Sequence, residues 1–290
     1  MLVADRKTEY VLTFSSKDQP GLVAKVTGLL FENHANILSS QQYNDLESQQ
    51  FFMRVSFVNL NSQSSFDQLK SEFSKLSKNL KLDYALAGLN RRKKVLMMVS
   101  KFDHCLGDLL YRMRIGEMPM DVVGIVSNHP KSALNLTTFG DIPYHHLPIS
   151  KETKFEQENK IKAIIEQTGA ELVVLARYMQ ILSDEFSTYL AGRCVNIHHS
   201  FLPGFKGARP YHQAYKRGVK IIGATAHFVT SELDEGPIIY QDTEQISHAD
   251  TPSDLIRKGR NIEQRVLSRA VMSLLQDRVL INGNKTVVFD

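Results

Sequence analysis

The sequence predicts an α/β protein in two parts: a ferredoxin-like βαββαβ unit over residues 1–89, then a Rossmann-like, mostly parallel-sheet unit over 95–290. Three observations predict it. A polar and basic run at 90–94, Asn90-Arg91-Arg92-Lys93-Lys94, separates two apolar segments as a solvated linker does. Before that run, segments follow in the order strand, helix, strand, strand, helix, strand. After it, strand and helix alternate singly, the pattern of a parallel sheet covered on both faces.

In the first part, Tyr10–Phe14 is β-branched and aromatic, as a strand requires, and Asp18-Gln19-Pro20-Gly21 ends it with turn chemistry. Leu22, Val23, Val26, Leu29 and Leu30 recur at helical spacing. Ala35–Leu38 opens a second strand and Phe51–Phe57 is a third. Phe66, Leu69, Phe73 and Leu76 mark a second helix, and Lys81–Leu86 a last strand. In the second part, strands are expected at Val95–Val99, Val122–Val126, Glu171–Leu175, Arg193–Ile197, Gly223–Val229 and Ile238–Gln241. Helices are expected at Cys105–Arg114, Glu156–Gln167 and Asp254–Leu275.

Composition excludes several classes. With 42% hydrophobic and 23% charged residues, the chain is neither collagen-like nor low in complexity. Its two cysteines, Cys105 and Cys194, cannot build a disulfide framework or a cysteine-based zinc site. A formal charge of +4 is too small to predict nucleic-acid binding. Met1–Glu9 carries no signal-peptide core and no apolar run approaches a membrane span, so the expected location is cytoplasmic.

The chemistry concentrates in Asn196-Ile197-His198-His199-Ser200-Phe201-Leu202-Pro203-Gly204-Phe205-Lys206-Gly207-Ala208. Period-two alternation puts Asn196 and His198 on one face at the carboxyl end of a strand, where open α/β sheets bind ligands. An amide donor beside an imidazole suits a developing oxyanion. Thirty-six residues after His198, Asp234 precedes a Gly236-Pro237 turn between two apolar strands, and a carboxylate there can orient the imidazole or a water. On spacing alone, an Asn or His near a strand end is more often a turn or cap residue.

Two resemblances sharpen the reading. Asp18–Thr27 followed by Ala35-Asn36-Ile37 resembles the ACT domain family, which implies either an amino-acid effector site at Pro20, Gly21, Leu22 and Asn36 or a purely oligomer-forming unit. Asn196-x-His198, Leu202-Pro203 with Gly207-Ala208, and Asp234-x-Gly236 together resemble the folate-dependent formyltransferase family from about Lys94 to Leu280. That resemblance implies a formyltransferase-type fold, 10-formyltetrahydrofolate as formyl donor, catalysis by Asn196, His198 and Asp234, and a substrate pocket including Met179, Gln180, Leu182, Gly207 and Thr230. Gln180 stands where glycinamide ribonucleotide formyltransferases usually carry Arg. Their phosphate-binding glycine loop corresponds here to Ser100-Lys101-Phe102-Asp103-His104-Cys105-Leu106-Gly107, which has no glycine before Gly107 and carries Asp103. Methionyl-tRNA formyltransferases usually place their extra domain after the catalytic one, not before it.

With no acceptor site, water is the remaining nucleophile. The order of domains and the run Gly207–Tyr215 resemble the formyltetrahydrofolate deformylase family across nearly the whole chain. The resemblance implies hydrolysis to tetrahydrofolate and formate, with Asp234, supported by His198, positioning and deprotonating a water, Asn196 and protonated His198 donating to the oxyanion, and His198 helping to protonate the departing N10. It further implies a place in one-carbon balance and formate supply for purine synthesis, no cofactor, no metal, a possible amino-acid effector, and a homodimer or homotetramer. A transferase and a noncatalytic amino-acid or folate sensor are the alternatives. His199 is expected to face away from His198, and His227 to be a core histidine. His104 is the remaining candidate near the formyl group. Arg209 and Tyr211 are read as loop supports, and Cys105 and Cys194 as packed thiols.

Overall fold

The computed structural model describes residues 8–60, 66–89, 91–135, 139–204 and 210–290. One compact unit comprises the chain up to Arg91 together with Gln276–Asp290, and the other is Arg92–Leu275. In the first, β1 (Glu9–Lys17), α1 (Leu22–Glu32), β2 (Ala35–Asp45), β3 (Gln50–Asn59), α2 (Phe66–Leu80) and β4 (Asp83–Gly88) follow in the expected order. The strands form an antiparallel sheet ordered β2-β3-β1-β4. Alternation puts Leu12 and Phe14 of β1 opposite Val55 and Met53 of β3. These four side chains pack with Val26 and Leu30 of α1 and with Leu69 and Phe73 of α2, all but removed from water. Gly21 precedes α1 at φ 86°, a left-handed conformation that glycine adopts without a Cβ penalty.

The second unit contains β5 (Lys93–Val99), α3 (His104–Arg114), β6 (Met120–Ser127), β7 (Tyr144–His146), α4 (Lys154–Thr168), β8 (Leu172–Leu175), α5 (Asp184–Tyr189), β9 (Cys194–His198), α6 (Pro210–Arg217), β10 (Ile221–Phe228), β11 (Ile238–Gln245) and α7 (Pro252–Leu275). Its seven strands are ordered β11-β10-β9-β8-β5-β6-β7. The five from β9 to β7 pair in parallel, and β10 and β11 are added antiparallel. The central strands read as unbroken apolar runs because both faces are covered; Val95–Val99 and Val173–Val174 are fully buried. The chain leaves β5 toward β6 and β7, then returns to the other side of β5 as β8. Strand order therefore reverses between β5 and β8, and in open α/β sheets the carboxyl ends at such a reversal form the ligand crevice. Among the described residues no helix is long and apolar enough to cross a membrane.

The reading that carried the second unit to residue 290 differs from the observed packing. After α7, the hairpin β12 (Val279–Asn282) and β13 (Lys285–Val288) belongs to the first unit. Hydrogen bonds explain why. Arg54 on β3, only 6% exposed, donates through Nη2 to the Gln276 carbonyl at 3.0 Å and through Nε to that of Asp277 at 3.2 Å. Asn282 Nδ2 donates to Asp45 Oδ2 at 2.7 Å. Replacing Arg54 by Ala removes the donor from two carbonyls, so Arg54→Ala should lower stability by about 1–3 kcal/mol in urea unfolding. An unchanged midpoint would contradict this account of the hairpin.

Candidate active site

Strand β9 delivers Asn196 and His198 to its carboxyl end, and antiparallel pairing with β10 sets Thr225 opposite His198 and His227 opposite Asn196. The β10–β11 register shifts between Ala226 and His227. Such a bulge bends a strand and re-aims its side chains. The loop from Val229 to Pro237 then brings Asp234 back to the same place. Asp234 Oδ2 lies 3.1 Å from His198 Nδ1, and Oδ1 lies 3.6 Å from His227 Nε2. Asn196 Nδ2 is 3.2 Å from His227 Nε2, and His227 Nδ1 is 2.8 Å from the Phe228 carbonyl. A carbonyl accepts only, so Nδ1 of His227 carries a proton, and Nε2 is placed to accept from the Asn196 amide.

These contacts define the electrostatics. Burial alone would raise the Asp234 carboxyl, but the hydrogen bond from His198, with the His227 ring close by, more than offsets it and holds the group well below the usual carboxylate range. The same carboxylate fixes the His198 tautomer with its proton on Nδ1. His198 Nε2 is buried and has no hydrogen-bond partner among the described residues. The loop geometry is tight: Asp234 sits at φ 58°, and a Cβ on Gly236 would stand 1.8 Å from the Phe228 carbonyl oxygen.

Both His198 and Asp234 line a cavity of about 650 Å³, the size of a small-molecule site. Met179, Gln180, Leu182 and Thr230, which the resemblance implies bind substrate, line it too; Gly207 lies outside the described residues. The wall formed by residues 176–183 is anchored at both ends. Ser100 N donates to the Arg177 carbonyl, and Met179 N donates to Ser100 Oγ, each at 3.1 Å. Tyr178 OH donates to Gln157 Oε1 at 3.1 Å, and Ser183 N donates to Glu158 Oε1 at 2.8 Å.

A second polar cluster on the cavity wall was not assembled from the sequence. Glu263 of α7, 1% exposed, accepts from His104 Nε2 at 2.7 Å and from Tyr211 OH at 2.6 Å; Arg177 Nε stands 3.4 Å from the same carboxylate. Burial raises the Glu263 carboxyl, but the His104 bond and the Arg177 charge outweigh it and hold the group ionised. His104, Cys105 and Glu263 also bring three ligand-type atoms within 4.8 Å. However, both Glu263 oxygens are hydrogen-bonded, and burial pushes the Cys105 thiol well above its ordinary range, so this is an ion-pair cluster rather than a thiolate site.

Two histidines differ from expectation. His199 does not face away from His198: β9 ends at His198, and the His199 ring stacks on it with centroids 5.0 Å apart. His227 is buried as expected, yet it lines the cavity and holds Asn196. Tyr211 supports its surroundings through Glu263, while Arg209 lies outside the described residues. The four residues read as an effector site belong to the first unit, apart from this cavity. Pro20 and Gly21 are exposed ahead of α1, Asn36 is exposed on the edge strand β2, and the Leu22 side chain is in the core, leaving its backbone as its contribution.

Comparison with known proteins agrees with this division. Residues 93–271 match the formyl transferase family and residues 10–78 the ACT domain family. The chain is 48% identical to the formyltetrahydrofolate deformylase of Corynebacterium sp. (strain P-1), over 97% of this chain and 98% of that one. It superimposes on the crystal structure of formyltetrahydrofolate deformylase from Burkholderia mallei ATCC 23344 with a TM-score of 0.93 at 48% identity, covering 98% of this chain and 100% of that one. Glycinamide ribonucleotide transformylase 1 from Symbiobacterium toebii gives a TM-score of 0.61 at 27% identity, covering 69% of this chain and 95% of that one.

The close approach at Gly236 makes a direct test of the site's construction. Gly236→Ala forces the loop away from the Phe228 carbonyl, so it should lower stability by about 1–3 kcal/mol and alter the His198 imidazole nitrogen resonances. A variant with wild-type stability and unshifted His198 signals would show that the loop does not hold Asp234 as described.

Proposed function

The chain belongs to the formyltetrahydrofolate deformylase family, and on that premise we propose that it hydrolyses 10-formyltetrahydrofolate to tetrahydrofolate and formate. The observation that carries the reading is His198, a cavity-lining residue: Nδ1 is fixed on Asp234 at 3.1 Å, while Nε2 is buried with no hydrogen-bond partner among the described residues. Neutral His198 takes a proton from water through Nε2, and the oxygen attacks the formyl carbon. Asp234, too acidic to hold that proton itself, orients the ring and stabilises the imidazolium. The Asn196 amide, held through one N–H by His227, donates the other to the formyl oxygen as it becomes negative. The C–N10 bond then breaks, and N10 takes the proton from His198.

This assigns Asp234 an orienting role in place of the general-base role expected from the sequence, because both its oxygens face imidazoles and its carboxyl is strongly acidic. Met179, Gln180, Leu182 and Thr230 bind the folate as cavity walls, and Gly207 is assigned to the same pocket by the family motif. The chemistry needs no cofactor or metal. A transferase reading is disfavoured by the wall where an acceptor would enter: the loop there begins α3 with Asp103 and His104, and His104 is bonded to Glu263.

The first unit serves regulation or assembly. Phe31 is 81% and Leu46 84% exposed on it, apolar surface that suits a homodimer or homotetramer, and an amino acid bound near Pro20, Gly21, Leu22 and Asn36 is the assigned effector. The protein works in the cytoplasm, where releasing formate adjusts one-carbon supply, including that for purine synthesis.

Formate release from 10-formyltetrahydrofolate tests the reading. Wild-type protein should release it without any amine acceptor. Asn196→Ala and Asp234→Asn should each lose about 100- to 1,000-fold in kcat while remaining folded. Near-normal turnover in both variants, or formylation of glycinamide ribonucleotide without free formate, would overturn it.

A further inference from the structure

Two non-glycine residues of the second unit, among those described, adopt left-handed φ: Asp234 at 58° and Arg177 at 68°. Both line the same cavity. A side chain held in that region costs of order 1–3 kcal/mol, and such strain collects at functional sites. Asp234 already has a role, and Arg177 does not.

Arg177 lies at the carboxyl end of β8, two residues beyond Leu175; His198 lies two residues beyond Asn196, the register partner of Leu175 on β9. Neighbouring parallel strands therefore deliver Arg177 and His198 to one level of the crevice. The guanidinium is anchored without being satisfied. Nε stands 3.4 Å from Glu263 Oε2, and the group lies 5.7 Å from the Phe102 ring centre. The Glu263 oxygens take their hydrogen bonds from His104 and Tyr211 instead. Nε and Nη1 are buried with no hydrogen-bond partner among the described residues, in a side chain only 10% exposed. Buried N–H donors without acceptors are rare, and on a cavity wall they mark the place of a ligand oxygen.

We infer that Arg177 holds the oxygen that enters from water and leaves on formate. This rests on the hydrolytic reading above. Asn196 donates to the formyl oxygen, and Arg177 donates to the second oxygen as it gains charge in the tetrahedral intermediate. One water proton passes through His198 to N10, which keeps the electron pair of the broken C–N bond. The other leaves as formic acid ionises, and formate departs from between the two donors.

The test uses Arg177→Ala and Arg177→Lys in the full chain, the second keeping most of the side-chain volume and the charge. [13C]Formate alone should broaden in the presence of wild-type protein and not with Arg177→Ala. kcat should fall about 100-fold in Arg177→Ala with KM within threefold, and millimolar guanidinium should restore part of it. Arg177→Lys should fall between the two. Equal formate broadening in wild type and Arg177→Ala would overturn the proposal. So would a rise in KM at unchanged kcat, which would assign the guanidinium to the folate. Absence of formate release by the wild-type protein would instead reject the hydrolytic reading, whatever the NMR shows.

Discussion

The hydrogen bond between Asp234 and His198 is the constraint on which the site depends. It joins a strand end to a loop that begins thirty-one residues after it, and it exists because β10 turns back antiparallel along β9. That pairing has three consequences at once. It sets His227 beside Asn196, points the following loop back over β9, and leaves Gly236 against the Phe228 carbonyl, where no side chain fits. Without Asp234, the imidazole could carry its proton on either nitrogen and rotate. With it, Nδ1 holds the proton and Nε2 is left as the ring's acceptor.

The same cavity carries a second buried charge cluster, of opposite design. Around Asp234 the carboxylate stands between two imidazoles, one of which is the proposed proton carrier. Around Glu263 the carboxylate takes bonds from His104 and Tyr211 and stands beside a guanidinium it does not satisfy. Removing one member of a buried network leaves a charge unpaired, so the members hold each other in place. In the proposed mechanism the first cluster handles protons, and the second presents a fixed positive group to oxygen.

Much of this was legible in the sequence, for identifiable reasons. Period two put Asn196 and His198 on one face, and the Gly236-Pro237 turn marked Asp234 as a loop carboxylate between strands. His227 was harder, since it lies in an apolar strand and only the β9–β10 register sets it opposite Asn196. His199 was misdirected because period two stops where the strand does. The Arg177–Glu263 pair spans 86 positions and exists only once α7 docks. Its one visible sign was a carboxylate inside the apolar stripe of Ile262, Val266, Leu267 and Ala270. The terminal hairpin had a local signature too, the two-residue Gly283-Asn284 loop, but nothing local says which unit it joins.

The central claim is that water, activated at His198, is the formyl acceptor. Turnover in H₂¹⁸O tests it most directly, with the formate analysed by mass spectrometry. The account predicts one ¹⁸O atom in each formate released, at a yield equal to the tetrahydrofolate formed. Tetrahydrofolate formed without labelled formate, with the formyl group on an amine instead, would contradict it.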